Sequence, residues 1–156
     1  MTAVVAAAAV GSGLMAGVFF AFSTFVMAGL TRLPSAHGLV AFQSINRAAS
    51  HPLLMAALFG TALACLVLTV WGVSNSGEAA FGWVLGGSAC YLVGGLAVTI
   101  ARNVPLNLAV ERLSADDPAA ADRWTSYAAS WTRWNHARTL ASLGASALLT
   151  VALLLS

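Results

Sequence analysis

Lysine is absent from this sequence and charge of either sign is scarce: seven arginines and five acidic residues among 156 positions, 8% of the chain. A typical soluble domain carries about 25% charged residues. So few charges cannot coat a water-soluble globule of this size, which excludes an ordinary soluble enzyme. The arginines are dispersed, with no basic run to track a phosphate backbone, so no nucleic-acid partner is expected. Cysteine is nearly missing too. Cys65 and Cys90 fall in the middle of different apolar runs and read as small buried hydrophobes, not as a disulfide. Ten-residue segments of alternating polarity, the mark of a membrane barrel, do not occur.

What the chain has instead is apolar length. Hydrophobic residues make up 60% of it, and uncharged runs cover Met1 to Thr31, Ala48 to Gly77, Ala79 to Ala101 and Thr139 to Ser156. Crossing roughly 30 Å of hydrocarbon takes about 20 helical residues. Four spans fit and a fifth does not: about Gly11 to Leu30, Pro52 to Trp71, Phe81 to Ala101 and Ala137 to Ser156. The expected fold is all-α, a single four-helix transmembrane domain over residues 1–156 with a long amphipathic connection between helices 3 and 4. The N-terminal run has no basic n-region and is too long for a signal-peptide core, so it reads as a retained helix.

Arginine placement sets the expected orientation. Arg32 and Arg47 lie in the first loop and the other five in or beside the third, whereas the termini and the Ser74 to Glu78 turn have none. Positive charge is retained on the cytoplasmic side. Both termini are therefore expected outside, with the two longer connections in the cytoplasm. Exclusive use of arginine and abundant alanine suggest a GC-rich genome and a bacterial inner membrane. Gly13 with Gly17, and Gly82 with Gly86, form GxxxG pairs that let helices approach closely, within one bundle or in a homodimer.

Laid in register, the spans bring polar residues to one end. That level carries Gln43, Asn46 and Arg47 from the first loop, His51 at the start of the second span, Asn103 and Asn107 after the third, and Trp131, Asn135, His136 and Arg138 before the fourth. The other end has Ser74, Asn75, Ser76 and Glu78. Each residue alone has a bland explanation, since arginines snorkel, asparagines cap helices and tryptophans belt the interface. Their convergence points to a site. Pro105 removes an amide donor and is expected to bend or end the third helix. Trp124, Tyr127, Trp131, Asn135 and Arg138 recur at spacings of 3, 4, 4 and 3, one helical face. That face reads either as an interfacial anchor or as a slot for a flat aromatic molecule stacked on indole rings, its oxygen at Arg138 or Asn135.

The strings from Gly17 to Ser23 (GVFFAFS) with Val26-Met27, Gln43 to Arg47 (QSINR), Asn103 to Asn107 (NVPLN) and Trp131 to Arg138 (WTRWNHAR) resemble, in order, those of the anthrone oxygenase-like family, from Gly13 to about Ser142. His51 departs from the pattern, which often has asparagine before that proline. The resemblance implies a membrane protein that oxidises a lipophilic aromatic substrate with O2, as fungal members do to anthrones in aromatic polyketide pathways. An anthrone's acidic methylene yields an electron-rich enolate that reacts with oxygen unaided, so no cofactor is expected: a base, an oxyanion stabiliser and a dry pocket suffice. His136 is the candidate base and Arg138 the stabiliser, with Gln43, Asn46, His51, Asn103, Asn107, Tyr127, Trp131 and Asn135 around the substrate. His136 and Arg138 point about 200° apart on a regular helix, so His51 or Tyr127 remain alternative bases. Three other readings stay open: a metal or haem held by His51 and His136, a non-catalytic carrier of a quinone-like ligand, and a structural subunit of a membrane complex.

Overall fold

The computed structural model describes residues 1–77 and 79–155; Glu78 and Ser156, which end the expected turn and the fourth span, lie outside the described residues. The chain runs through α1 (Thr2–Thr31), a short α2 (Ser35–Ala48), α3 (Pro52–Ser74), α4 (Phe81–Glu111) and α5 (Ala120–Leu154). All but α2 are long and apolar enough to cross a membrane. No strand occurs among the described residues. The protein is a four-helix membrane bundle, and the hydrocarbon explains its surface: Leu14, Phe25, Leu63, Val70, Val93 and Leu140 all point outward.

Local chemistry sets the boundaries. Pro34 disfavours helix in the residue before it and closes α1. His51 caps α3, its Nδ1 accepting from the Leu53 amide at 3.3 Å, with Pro52 in the first turn where no donor is required. At α5 the Asp117 carboxylate accepts from the Ala119 amide at 2.8 Å, and Asp122 sits in the positive first turn.

Three sequence expectations change. The connection between the last two membrane helices is short, residues 112–119, rather than long and amphipathic. Residues 120–136 belong to α5 because Trp124, Tyr127, Trp131, Asn135 and Arg138 extend a buried stripe that continues through Ser142, Ala145 and Leu149. At 35 residues α5 is about 52 Å long and outruns the hydrocarbon. Pro105 does not end the third helix either. A wide π-helical turn at Thr99–Asn103 comes directly before it and relieves the clash with the preceding turn. Similar wide turns interrupt α1 at Phe22–Val26 and α4 at Cys90–Ala97.

The four long helices form a ring in which α1 and α4 each lie against both α3 and α5, while α2 crosses one end and packs on α1, α4 and α5. The third correction concerns the glycines. Only one glycine of each GxxxG pair meets a neighbouring helix: a Cβ at Gly17 or Gly82 would meet nothing within 4 Å, whereas one at Gly13 would fall 3.1 Å from Ser146 Oγ and one at Gly86 3.6 Å from Leu148 Cδ1. Tighter approaches occur between α1 and α3, where a Cβ at Gly11 would collide with Thr61 Oγ1, and between α4 and α5, where a Cβ at Gly87 would fall 2.7 Å from Leu149 Cγ and one at Gly94 would collide with Ala141 Cβ. A further close approach seats α2, with a Cβ at Gly38 only 2.6 Å from the Leu30 carbonyl.

Candidate functional site

The stripe on α5 that reaches the middle of the ring ends its aromatic part at Trp131 and becomes polar at Asn135 and Arg138. Asn135 is fully buried, and its Nδ2 donates to the Phe19 carbonyl at 2.6 Å and to Ser23 Oγ at 2.7 Å. Both partners flank the entrance to the wide turn of α1. Asn135 Oδ1 then accepts from one terminal nitrogen of Arg138 at 2.6 Å, while the other donates to Thr99 Oγ1 at 3.3 Å. The guanidinium lies over the rings of Phe19 and Trp131, 4.3 and 5.3 Å from their centroids. It is only 6% exposed, no carboxylate pairs with it among the described residues, and its buried Nε has no protein partner.

Arg138 forms part of the wall of a cavity of about 280 Å³ to which all five helices contribute. Phe19 and Phe22 come from α1, Phe42 and Asn46 from α2, Leu54 and Phe59 from α3, Thr99 and Asn107 from α4, and Trp131, Asn135 and Arg138 from α5. The wide turns matter here, since Phe22 and Thr99 belong to two of them and Leu96 to the third. The volume is about twice the ~150 Å³ known to hold one benzene. The chamber is apolar, with a few convergent hydrogen-bonding groups and one cation, which suits a flat hydrophobic molecule bearing an oxygen.

A family model described as anthrone oxygenase matches residues 42–148. The chain belongs to the anthrone oxygenase family. No curated protein and no solved structure matches it. The family match takes in every lining residue of α2 to α5, whereas Phe19 and Phe22 precede it.

Of the residues singled out in the sequence of this anthrone oxygenase family member, Asn46, Asn107, Trp131, Asn135 and Arg138 meet in the cavity. Asn107 is held by two donors, the Tyr127 hydroxyl at 3.2 Å and Trp131 Nε1 at 2.7 Å, both on its Oδ1. Tyr127 therefore stands one hydrogen bond behind the wall. Gln43 bridges helices instead, its amide donating to the carbonyls of Val110 and Leu113 at 2.9 and 3.0 Å. Asn103 is buried between α4 and α5 and donates to the Trp131 carbonyl at 3.4 Å. The aromatic stripe is no open slot: Trp124, Tyr127 and Trp131 all close on Phe42 of α2, at 5.2 to 5.8 Å between centroids.

The histidines lie elsewhere. His136 is exposed and lines a separate groove of about 580 Å³ between α1 and α5, with Ser23, Thr31 and Arg133, because two residues of helix turn it away from Arg138. His51 is an exposed helix cap. The two share no described cavity, and no three His, Cys, Asp or Glu side chains gather as a metal site among the described residues. His136→Ala is accordingly expected to leave binding of 1,8-dihydroxyanthraquinone in the cavity within about twofold of wild type, as an exposed substitution away from the site should. Quenching of tryptophan fluorescence by the ligand measures it.

Sequence reasoning missed Thr99, Phe19 and Phe22. A signal existed for Phe19 and Phe22, which lie in the GVFFAFS string. Thr99 has none in isolation, because only the wide turn after Ala97 brings its hydroxyl to Arg138.

Proposed function

We propose that this protein is a membrane oxygenase that converts a lipophilic anthrone- or phenol-type aromatic with O2, using no cofactor, in a bacterial inner membrane with both termini outside. The location and orientation rest on the arginine distribution and the composition. The chemistry rests above all on Arg138. A guanidinium removed from water without a carboxylate partner is costly, and two aromatic faces offset only part of that cost. An oxyanion in the cavity beside the guanidinium would supply the missing charge.

The enolate of an anthrone supplies that oxyanion. Arg138, through the charge it brings to the cavity wall, stabilises the enolate relative to the neutral ketone and so makes the methylene easier to deprotonate. The apolar wall excludes water, which strengthens the same interaction. O2 then adds to the carbanionic carbon, forming a C–O bond, and loss of water breaks the O–O bond. The methylene becomes a ketone, one oxygen atom ends in the product and the other in water. The proton taken from carbon goes to the Glu111 carboxylate, which accepts from the cavity residue Asn46 at 2.8 Å, and returns to the peroxide, so that the oxygen lost from it leaves as water.

A second reading draws on one observation: among the described residues, no imidazole or carboxylate lines the cavity. The same chamber could then bind a quinone-like molecule without turning it over. Oxygen uptake by the protein in liposomes, supplied with anthrone, separates the two. Equimolar consumption of O2 and formation of anthraquinone, above the rate of empty liposomes and unchanged by chelators, supports the oxygenase. Tight binding of anthraquinone without added oxygen uptake supports the carrier.

A further inference from the structure

The wall of the cavity is not closed on all sides. α3 packs against residues 81–97 of α4, but beyond that point the two helices part. The gap is edged by Met55 and Phe59 on α3 and by Ile100 and Val104 on α4, all of which line the cavity. Phe59, Ile100 and Val104 are also 52%, 55% and 40% exposed on the outer surface. One side of each residue faces the chamber and the other faces outward. Phe59 stands seven residues into α3, about 10 Å from its capped end. With 23 residues, α3 is about 34 Å long and just matches the hydrocarbon. The gap therefore opens at acyl-chain depth, and the four residues that edge it are all apolar.

We infer that the ligand reaches Arg138 sideways from the lipid, through the slot between α3 and α4, and not from the aqueous face. The inference rests on the reading of the Arg138 cavity as an aromatic-ligand site. It specifies the ligand as a neutral molecule that partitions into the bilayer, ionising only once Arg138 is beside it. At the aqueous end α2 lies across the ring and its Phe42, clasped by Trp124, Tyr127 and Trp131, narrows that route to the turn where Ser50 lines the cavity. A charged or strongly hydrated compound would find no polar group along the rim to exchange for its water.

The test uses a removable plug. Ile100→Cys protein in liposomes is modified with benzyl methanethiosulfonate, and the association rate of 1,8-dihydroxyanthraquinone is followed by stopped-flow quenching. Wild type treated identically accounts for Cys65 and Cys90. Leu140→Cys, exposed to lipid and lining no described cavity, controls for the label itself. Labelling at 100 is expected to slow association at least tenfold, with recovery on reduction of the mixed disulfide, and labelling at 140 to change it less than twofold. A rate within twofold after labelling at 100, while Arg138→Met still abolishes binding, overturns the lipid route and leaves the site standing. Failure of wild type to bind the ligand overturns both.

Discussion

Arg138→Met is expected to lower oxygen uptake with anthrone at least a hundredfold while leaving thermal unfolding in detergent within a few degrees of wild type. The loss of rate follows from removing the cation beside the developing oxyanion, since deleting one oxyanion-stabilising group costs about 10²- to 10³-fold. The stability side needs more care. The methionine variant would forfeit hydrogen bonds to Asn135 and Thr99, each about 1.5 to 3 kcal/mol for a charged donor, and cation–π contacts worth about 2 kcal/mol when desolvated. It would also leave Asn135 Oδ1 without its donor. Against this stands the several kcal/mol spent on burying an unpaired charge, so the two sides nearly cancel. Arg138→Lys keeps the charge but loses the planar fork that reaches Asn135 and Thr99 together, and should fall between. A variant that unfolds early, or one that keeps full activity, would show that Arg138 braces the bundle and does not stabilise an oxyanion.

This contrast also explains why the site was partly legible in the sequence. Asn135 and Arg138 stood out because an amide and a guanidinium lay where the fourth span had to enter the hydrocarbon, and depth likewise picked out Asn46 and Asn107. All four meet in the cavity. Depth, however, says nothing about azimuth. His136 shares the level of Arg138 yet faces the other groove, and Gln43 shares that of Asn46 yet ties α2 to the end of α4. His51 read as a ligand because of its type, whereas its ring caps α3.

The helices themselves were legible in their apolar middles and not at their ends. Apolar runs mark the hydrocarbon, but α1, α4 and α5 continue past it, where amphipathic stripes take over from uniform hydrophobicity. Only the wide turn before Pro105 had a marker in the sequence; those at Phe22–Val26 and Cys90–Ala97 had none, since a shift of the hydrogen-bond partner by one residue needs no special side chain. Their consequence is large, because they put Phe22 and Thr99 on the cavity wall.

The spacing of α4 and α5 controls that wall, and it supplies the second large effect. Gly94→Ala should destabilise the bundle, and the swap Gly94→Ala with Ala141→Gly should restore it. A methyl at 94 collides with Ala141 Cβ, and both atoms sit close to rigid helix backbone, so the helices must separate at a cost of about 1 to 3 kcal/mol, more for a larger side chain. Better helix propensity returns only about 1 kcal/mol. In the swapped protein the same methyl occupies the same gap from the opposite helix, and the propensity changes cancel. Gly17→Ala, with open space around its Cβ, should be neutral or slightly stabilising. Function should follow the spacing. Thr99 lies five residues beyond Gly94, and its hydroxyl meets Arg138 at 3.3 Å, so moving α4 outward breaks that contact and widens the chamber. Ligand affinity should therefore fall with Gly94→Ala and return in the double variant together with the unfolding midpoint. Recovery of stability without affinity would mean that Thr99 is not set by this helix pair.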